Sequence, residues 1–230
     1  MNQPSTPVPW TPRDVWLGVG SFALWVVLFG ALRLLVDYFS LTFDAGLLVS
    51  LGELLLLLPV WWLAVHKYGV AWSALGLRPF ATAMVGTGCR LMFGSFLFNF
   101  VYGSLLAFFG LRMQVDLVPI FQEVASPWLL FLGGAVIAPI VEEIFFRGFL
   151  FAGLRSHYGW QKAAVISSAI FAVLHLTPTA ILPIFILGYI FAYLYHRSDS
   201  IWPAILMHVL TNTLALGAAY LASTGQFDLM

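Results

Sequence analysis

The stretch "APIVEEIFFRGFL", residues 138–150, places three charged residues inside a segment that is otherwise apolar enough to enter a lipid bilayer. The three are Glu142, Glu143 and Arg147. A charged side chain in the hydrocarbon costs on the order of 3 kcal/mol or more, so such residues usually face a bundle interior or a cavity and have a function there. The stretch therefore predicts a helical membrane bundle built around a polar site.

The composition of the whole chain agrees with a membrane protein. Of its 230 residues, 61% are hydrophobic and 9% are charged, and the mean hydropathy is +0.95. A soluble domain is about 45–50% apolar and about 25% charged. The formal net charge is zero and no basic stripe is present, so we expect no nucleic-acid partner. The single cysteine, Cys89, cannot form a disulfide within the chain.

Apolar segments long enough to cross about 30 Å of hydrocarbon recur along the chain. We expect about seven spans, with six to eight as the range, and hence an all-α polytopic transmembrane bundle with a polar intramembrane cavity. No internal repeat divides the chain, so residues 1–230 are predicted to form one domain with a motif-bearing core at about 128–224. The predicted spans are 16–39, 43–65, 81–109, 128–154, 160–175, 178–195 and 201–224.

The spacing of charged residues along the spans predicts which of them form ion pairs. Glu143 and Arg147 are four residues apart on one helix, which predicts a local ion pair. Glu53 and Arg90 lie at similar depth when residues are counted at about 1.5 Å each, which predicts an ion pair between helices. Glu142 points about 100° away from Glu143 and is left without a basic partner.

Three further polar residues could reach Glu142. His175 ends the fifth predicted span, while His208 and Asn212 are four residues apart on the seventh and share a helix face. Helix tilt would bring all of them to one level near the middle of the bilayer. Glu142 and His175 could hold and deprotonate a water molecule. His208 and Asn212 could donate hydrogen bonds to the oxyanion of a tetrahedral intermediate, with Glu143 and Arg147 as a supporting pair.

The same residues match three motifs of a known family. "EEIFFR" (142–147) reads EExxxR, "FAVLH" (171–175) reads FxxxH, and "HVLTN" (208–212) reads HxxxN. In this order and on successive apolar segments, they resemble the CAAX-processing endopeptidase and bacteriocin-processing (CPBP) family, whose eukaryotic members are the type II CAAX prenyl endopeptidases. "LGLRP" (75–79) is also similar to a stretch found upstream in that family.

The resemblance implies a glutamate-dependent intramembrane peptidase. The catalytic residues would be Glu142, His175, His208 and Asn212, and no metal or other cofactor would be required. Zn²⁺ remains an alternative, because one or two glutamates and two histidines could bind it. Asn212 argues against zinc, since an amide is a poor zinc ligand but a good hydrogen-bond donor.

The implied partners are membrane lipid and a peptide or protein substrate, lipidated or not. A compact chain without long loops suggests a multi-pass protein of a prokaryotic cell (inner) membrane. No pattern indicates the natural substrate, the cleavage position or the oligomeric state.

Two other functional classes stay open. Buried Glu and His residues also build proton relays, so a proton-coupled transporter is possible, although inverted repeats are not visible. A non-enzymatic immunity or scaffold protein could keep the motifs for binding alone. Other protease types are excluded, because the sequence contains no HExxH zinc helix and no GxGD or GxSx motif.

Overall fold

The computed structural model describes residues 7–41, 45–113, 116–124 and 126–225, which form helices and no strand. Five of these helices are long and apolar enough to cross a membrane, and two shorter apolar helices accompany them. Each of the seven predicted spans corresponds to one of these helices, although the predicted start of the second, at residue 43, lies outside the described residues. The all-α membrane bundle is therefore confirmed, and the protein is a multi-pass membrane protein.

The first half of the chain contributes the outer helices. They are α1 (Pro12–Tyr38), α2 (Ala45–Leu55), α3 (Leu57–Val60) with its π-helical continuation Trp61–His66, the 3-10 turn Trp72–Leu75, and α4 (Ala83–Phe108).

The second half contains every predicted site residue. Its helices are α5 (Val118–Glu123), α6 (Pro127–Phe131), α7 (Ala138–Glu143), α8 (Ala152–Tyr158), α9 (Trp160–Leu174), α10 (Ile181–Ser198) and α11 (Trp202–Ser223).

A single continuous helix, Pro127–Tyr158, forms the centre of the bundle and is called the central helix below. In its apolar stretch 56% of the residues are buried, against 11% in the apolar stretch of the first helix. Within it, π-helical stretches at Leu132–Ile137 and Ile144–Phe151 flank α7. Such π-helical turns often mark functional sites, because the extra residue redirects the side chains around it. The predicted site therefore lies on the most buried and least regular helix of the set.

Close backbone contacts hold neighbouring segments against the central helix. Gly148 leaves so little space that an added Cβ would lie 2.7 Å from the carbonyl oxygen of Leu75. A Cβ on Gly153 would lie 2.8 Å from the ring of Trp10. The indole N–H of Trp10 in turn donates to the carbonyl of Phe149 at 2.9 Å. Small residues thus let the 3-10 turn and the N-terminal segment pack directly onto the helix that carries the motif.

Ionic contacts tie the helix ends together. Asp14 accepts hydrogen bonds from Lys67 and, at 2.6 Å, from the hydroxyl of Tyr68, and the hydrogen bond from Lys67 to this carboxylate raises the pKa of Lys67. Asp199, after α10, accepts from Arg155 at 3.0 Å and from Arg78 at 3.1 Å. The first set of contacts fixes α1 against the segment that follows Trp61–His66, and the Arg155–Asp199 pair fixes the turn between α10 and α11 against the central helix.

Candidate functional site

Glu143 and Arg147 form a fully buried ion pair. The distance between Oε1 of Glu143 and a terminal nitrogen of Arg147 is 2.9 Å, and both side chains are 0% exposed. The other terminal nitrogen of Arg147 donates to the carbonyl of Gly188 on α10 at 3.1 Å. The predicted pair is confirmed, and it also connects the central helix to α10.

Aromatic rings complete the surroundings of the Arg147 guanidinium. The guanidinium carbon lies 4.5 Å from the ring centre of Phe171, 5.3 Å from that of Phe191 and 5.8 Å from that of Phe146. A desolvated cation over an aromatic face gains roughly 2 kcal/mol. The rings therefore offset part of the cost of burying a charge where water cannot reach it.

His208, on α11, lies between the two glutamates of the motif. Its Nδ1 is 2.9 Å from Oε1 of Glu143, and its Nε2 is 3.7 Å from Oε2 of Glu142. The ring stacks on Phe191 with centres 5.0 Å apart. The same Oε1 of Glu143 accepts from Arg147, so it acts as an acceptor, and the Nδ1 of His208 is the donor. This contact fixes both the tautomer and the orientation of the imidazole.

His175 follows the last residue of α9 and has an exposed side chain. Its Nδ1 lies 2.7 Å from the carbonyl oxygen of Phe171, one turn earlier. A carbonyl can only accept, so Nδ1 carries the hydrogen, and in the neutral ring Nε2 is left as an acceptor. The helix end thus presents an imidazole whose second nitrogen can take a proton.

Asn212 lies one turn after His208 on α11 and is half-buried. Its amide nitrogen donates to the carbonyl of Gly134 at 2.9 Å, which joins α11 to the first π-helical stretch of the central helix. An amide nitrogen carries two hydrogens. One of them is used in this contact, and the second is available for another acceptor.

Two cavities meet at these side chains. The larger has a volume of about 350 Å³ and is lined by His175, His208 and Asn212 among mostly apolar residues. The smaller has a volume of about 110 Å³ and is lined by Glu142 and again His175. Phe171 also lines both cavities. The structure thus brings the four predicted residues to adjoining cavities, although no hydrogen bond in its described part joins His175 or Asn212 to Glu142.

Residues 124–214 match the model of a family described as "Type II CAAX prenyl endopeptidase Rce1-like". This segment, called the Rce1-like segment below, is similar to that family. It contains all three motifs, and the resemblance predicted from them is confirmed.

A relative from Bacillus subtilis (strain 168) shares part of the chain. It is named "Putative membrane peptidase YdiL" and is 34% identical over 88 residues. The aligned part covers 38% of this chain and 36% of the relative, so about a third of the relative's length is represented. No solved structure matches the chain.

One acidic residue near the site lies outside the Rce1-like segment, and the sequence predicted only a structural ion pair for it. Glu53, on α2, lines the smaller cavity together with Glu142. Its predicted partner, Arg90, is exposed on α4, and its guanidinium lies 3.4 Å from the hydroxyl of Thr87. The expected Glu53–Arg90 pair is therefore wrong. Counting residues gives the depth of a side chain along its helix, but not the direction in which it points around the axis.

The grouping of acidic and histidine side chains bears on metal binding. Among the residues that the structure describes, no three His, Cys, Asp or Glu side chains are grouped so that they could hold a metal ion together. The Nδ1 atoms of both site histidines are hydrogen-bonded to protein acceptors: that of His175 to the carbonyl of Phe171, and that of His208 to Glu143. Their Nε2 atoms are the nitrogens left to interact with a substrate or water.

Proposed function

We propose that this protein is an intramembrane endopeptidase that hydrolyses a peptide bond of a membrane-associated protein or peptide. The observation that supports this most is the shared border of the two cavities. Glu142 and His175 line the smaller one, and His175 lines the larger one with His208 and Asn212. Water activation and oxyanion stabilisation could thus act on the same carbonyl carbon from adjoining spaces.

Water would be activated by Glu142 and His175. Oε2 of Glu142 is buried without a hydrogen-bond partner, and His175 offers its Nε2 as an acceptor because Nδ1 is bound to Phe171. A water molecule between them can donate one hydrogen to each. Glu142 then accepts the proton as the water oxygen attacks the carbonyl carbon, which is general base catalysis.

The oxyanion would be stabilised by Asn212 and His208. Asn212 has a second amide hydrogen to donate. His208 uses Nδ1 for Glu143, so its Nε2 can donate only when the ring is protonated. In the proposed mechanism the ring carries this second proton, with Oε1 of Glu143 2.9 Å from Nδ1 and Oε2 of Glu142 3.7 Å from Nε2. Hydrogen-bond donors aimed at the developing oxyanion usually contribute strongly to the catalysis of peptide hydrolysis.

The proton must finally reach the leaving amine. Glu142, protonated by the first step, can return it as the carbon–nitrogen bond breaks. His208 offers a second path, because its Nε2 lies 3.7 Å from Oε2 of Glu142. The new carboxylic acid then gives its remaining proton to the released amine. The products are a carboxylate and an ammonium group, and both glutamates and both histidines return to their starting states.

The mechanism is proposed to need no metal ion. The amide of Asn212 occupies a position where a zinc site would require a stronger ligand. The Nδ1–H of His208 donates to Glu143 at 2.9 Å, which leaves only one nitrogen of that ring for any other partner. Proton transfer by Glu142 and hydrogen bonds from the protein would supply the catalysis instead.

The substrate would enter the larger cavity, whose mostly apolar wall suits an extended peptide or a lipidated one. The relative named "Putative membrane peptidase YdiL" is a bacterial protein, which supports a prokaryotic cell (inner) membrane as the location. Membrane lipid would be the other partner. Residues 1–230 would act as one domain, with the reactive core at about 128–224.

Comparative peptidomics tests the proposal. Membrane peptides are compared between cells that express the wild-type protein and cells that express Glu142→Gln, which keeps the shape of the side chain. We expect cleavage products that are present only with the wild type. Identical peptide sets would contradict the proposal, and function retained without Glu142 would favour a scaffold role.

A further inference from the structure

Glu53 is an acidic side chain inside the bundle that the proposed mechanism does not use. It lies on α2, which packs against the central helix. Its Oε2 is buried and has no hydrogen-bond partner. A carboxylate kept in this position, in a helix that faces lipid on its other side, is costly unless something satisfies it.

The smaller cavity shows what could satisfy Glu53. Three buried polar atoms without hydrogen-bond partners belong to side chains that line it: Oε2 of Glu53, Oε2 of Glu142 and Nε1 of Trp25. A water molecule takes about 30 Å³ in the liquid, so a cavity of about 110 Å³ has room for about three. Buried water is stable where two to four polar groups surround it, and this cavity provides them.

Apart from His175, the remainder of the cavity wall is apolar and offers no competing partner. Among the described residues that line it, none is a lysine or an arginine. Neither carboxyl group therefore has a cationic lysine or arginine partner among the described residues of the cavity, and water is the partner that fits the space. The apolar part of the wall consists of Phe22, Val26, Phe146, Phe171 and Leu174.

We propose that Glu53 is a positioning residue of the hydrolytic site, which holds ordered water in the smaller cavity and presents it to Glu142 and His175. This rests on the proposed function. Because one water donates only two hydrogens, two waters take part. The attacking water donates to Glu142 and His175, and a second water accepts from Trp25 and donates to Glu53 and to the oxygen of the attacking water. Glu53 bonds to no substrate atom and acts through the water that it holds.

Steady-state kinetics on purified protein in liposomes tests this role, with a cleaved membrane peptide as substrate. Glu53→Leu removes both oxygens at similar volume. We expect kcat to fall at least about 10-fold, with KM within about 2-fold and the melting temperature not lowered. Glu53→Gln keeps an oxygen that can bind water, so it should recover most of the lost kcat. Arg90→Leu is the control, because Arg90 is exposed and does not pair with Glu53 as the sequence had predicted. This change should leave kcat and KM unchanged.

A wild-type kcat in Glu53→Leu would overturn the inference. So would an equal loss of kcat in Glu53→Leu and Glu53→Gln together with a lower melting temperature, because that combination indicates a structural role. Glu142→Gln separates the two proposals. If Glu142→Gln is inactive while Glu53→Leu is fully active, only the inference about Glu53 fails. If Glu142→Gln is fully active, the proposed function fails and the inference falls with it.

Radiolytic hydroxyl labelling gives a readout that does not depend on cleavage, since it modifies side chains next to bound water. We expect Trp25 to be labelled in the wild type and less so in Glu53→Leu. Trp10 is the matched control, because it is 0% exposed and its indole N–H is bound to a backbone carbonyl. Equal labelling of Trp25 in both proteins would contradict a water site held by Glu53.

Discussion

Nδ1 of His208 lies 2.9 Å from Oε1 of Glu143, so the second glutamate of the motif positions a histidine from the last helix. The same carboxylate oxygen accepts from Arg147 at 2.9 Å. Glu143 is therefore shared between an ion pair within the central helix and a contact with α11. This arrangement leaves Nε2 of His208 as the ring nitrogen directed toward Glu142, 3.7 Å away.

Glu143→Gln tests this positioning role. The amide weakens the acceptor that orients the ring of His208 through Nδ1, while the shape of the side chain is kept. We expect kcat to fall about 10- to 100-fold, the loss typical of removing a partner that orients a metal-bound histidine, with KM nearly unchanged. Steady-state kinetics in liposomes measures both. A wild-type kcat would show that the contact with His208 is incidental.

Arg147→Met tests the energetic role of the buried ion pair. Removing Arg147 leaves Glu143 as an uncompensated buried charge, which typically costs about 3–5 kcal/mol. Arg112 and Asp116 provide a matched control, because they have the same spacing but are 81% and 47% exposed. Arg112→Met should cost less than about 1 kcal/mol. Denaturant unfolding in micelles measures the free energy of unfolding of both variants. Equal losses of stability would contradict the difference expected between a buried and an exposed ion pair.

Gly188→Ala tests the packing around the guanidinium. A Cβ at this position would lie 3.1 Å from Cβ of Ser168 and 3.2 Å from both the Arg147 guanidinium and the Phe171 ring. We expect a loss of about 1–3 kcal/mol from overpacking, accompanied by lower activity. Gly217→Ala is the control, since an added Cβ there meets nothing within 4 Å. That change should be neutral or stabilising by up to about 1 kcal/mol. The same thermal shift in both variants would contradict the account.

Chelation tests the proposal that catalysis needs no metal. Activity of the purified protein should persist after treatment with EDTA or 1,10-phenanthroline, because the proposed steps use only protein groups and water. Metal content is measured on the same sample by mass spectrometry. Stoichiometric zinc, with activity lost on chelation and restored by added zinc, would contradict the proposal.

The sequence predicts the fold well because a bilayer imposes a length on each span. Residues 160–175 were expected to form a span, and the helix is Trp160–Leu174. The local pair of Glu143 and Arg147 was predictable for a similar reason, because four residues bring two side chains to one helix face. Both predictions depend on regularities within one helix.

Contacts between helices were harder to predict. Glu53 and Arg90 were matched by depth, but the rotation of each helix places one in a cavity and the other on an exposed face. The contact of His208 with Glu143 was also missed, because Glu143 was already assigned to Arg147. Neither the rotation of a helix nor the sharing of one carboxylate between two partners has a signal in a single sequence.

The most direct test of the central claim is the initial rate at which the purified protein, in liposomes, cleaves a membrane peptide, compared between the wild type and Glu142→Gln. The new termini are quantified by mass spectrometry, and circular dichroism shows that both proteins are folded. The account predicts cleavage by the wild type and none above background by Glu142→Gln, because that variant lacks the carboxylate proposed to take the proton of the water. Equal rates for the two proteins would contradict it.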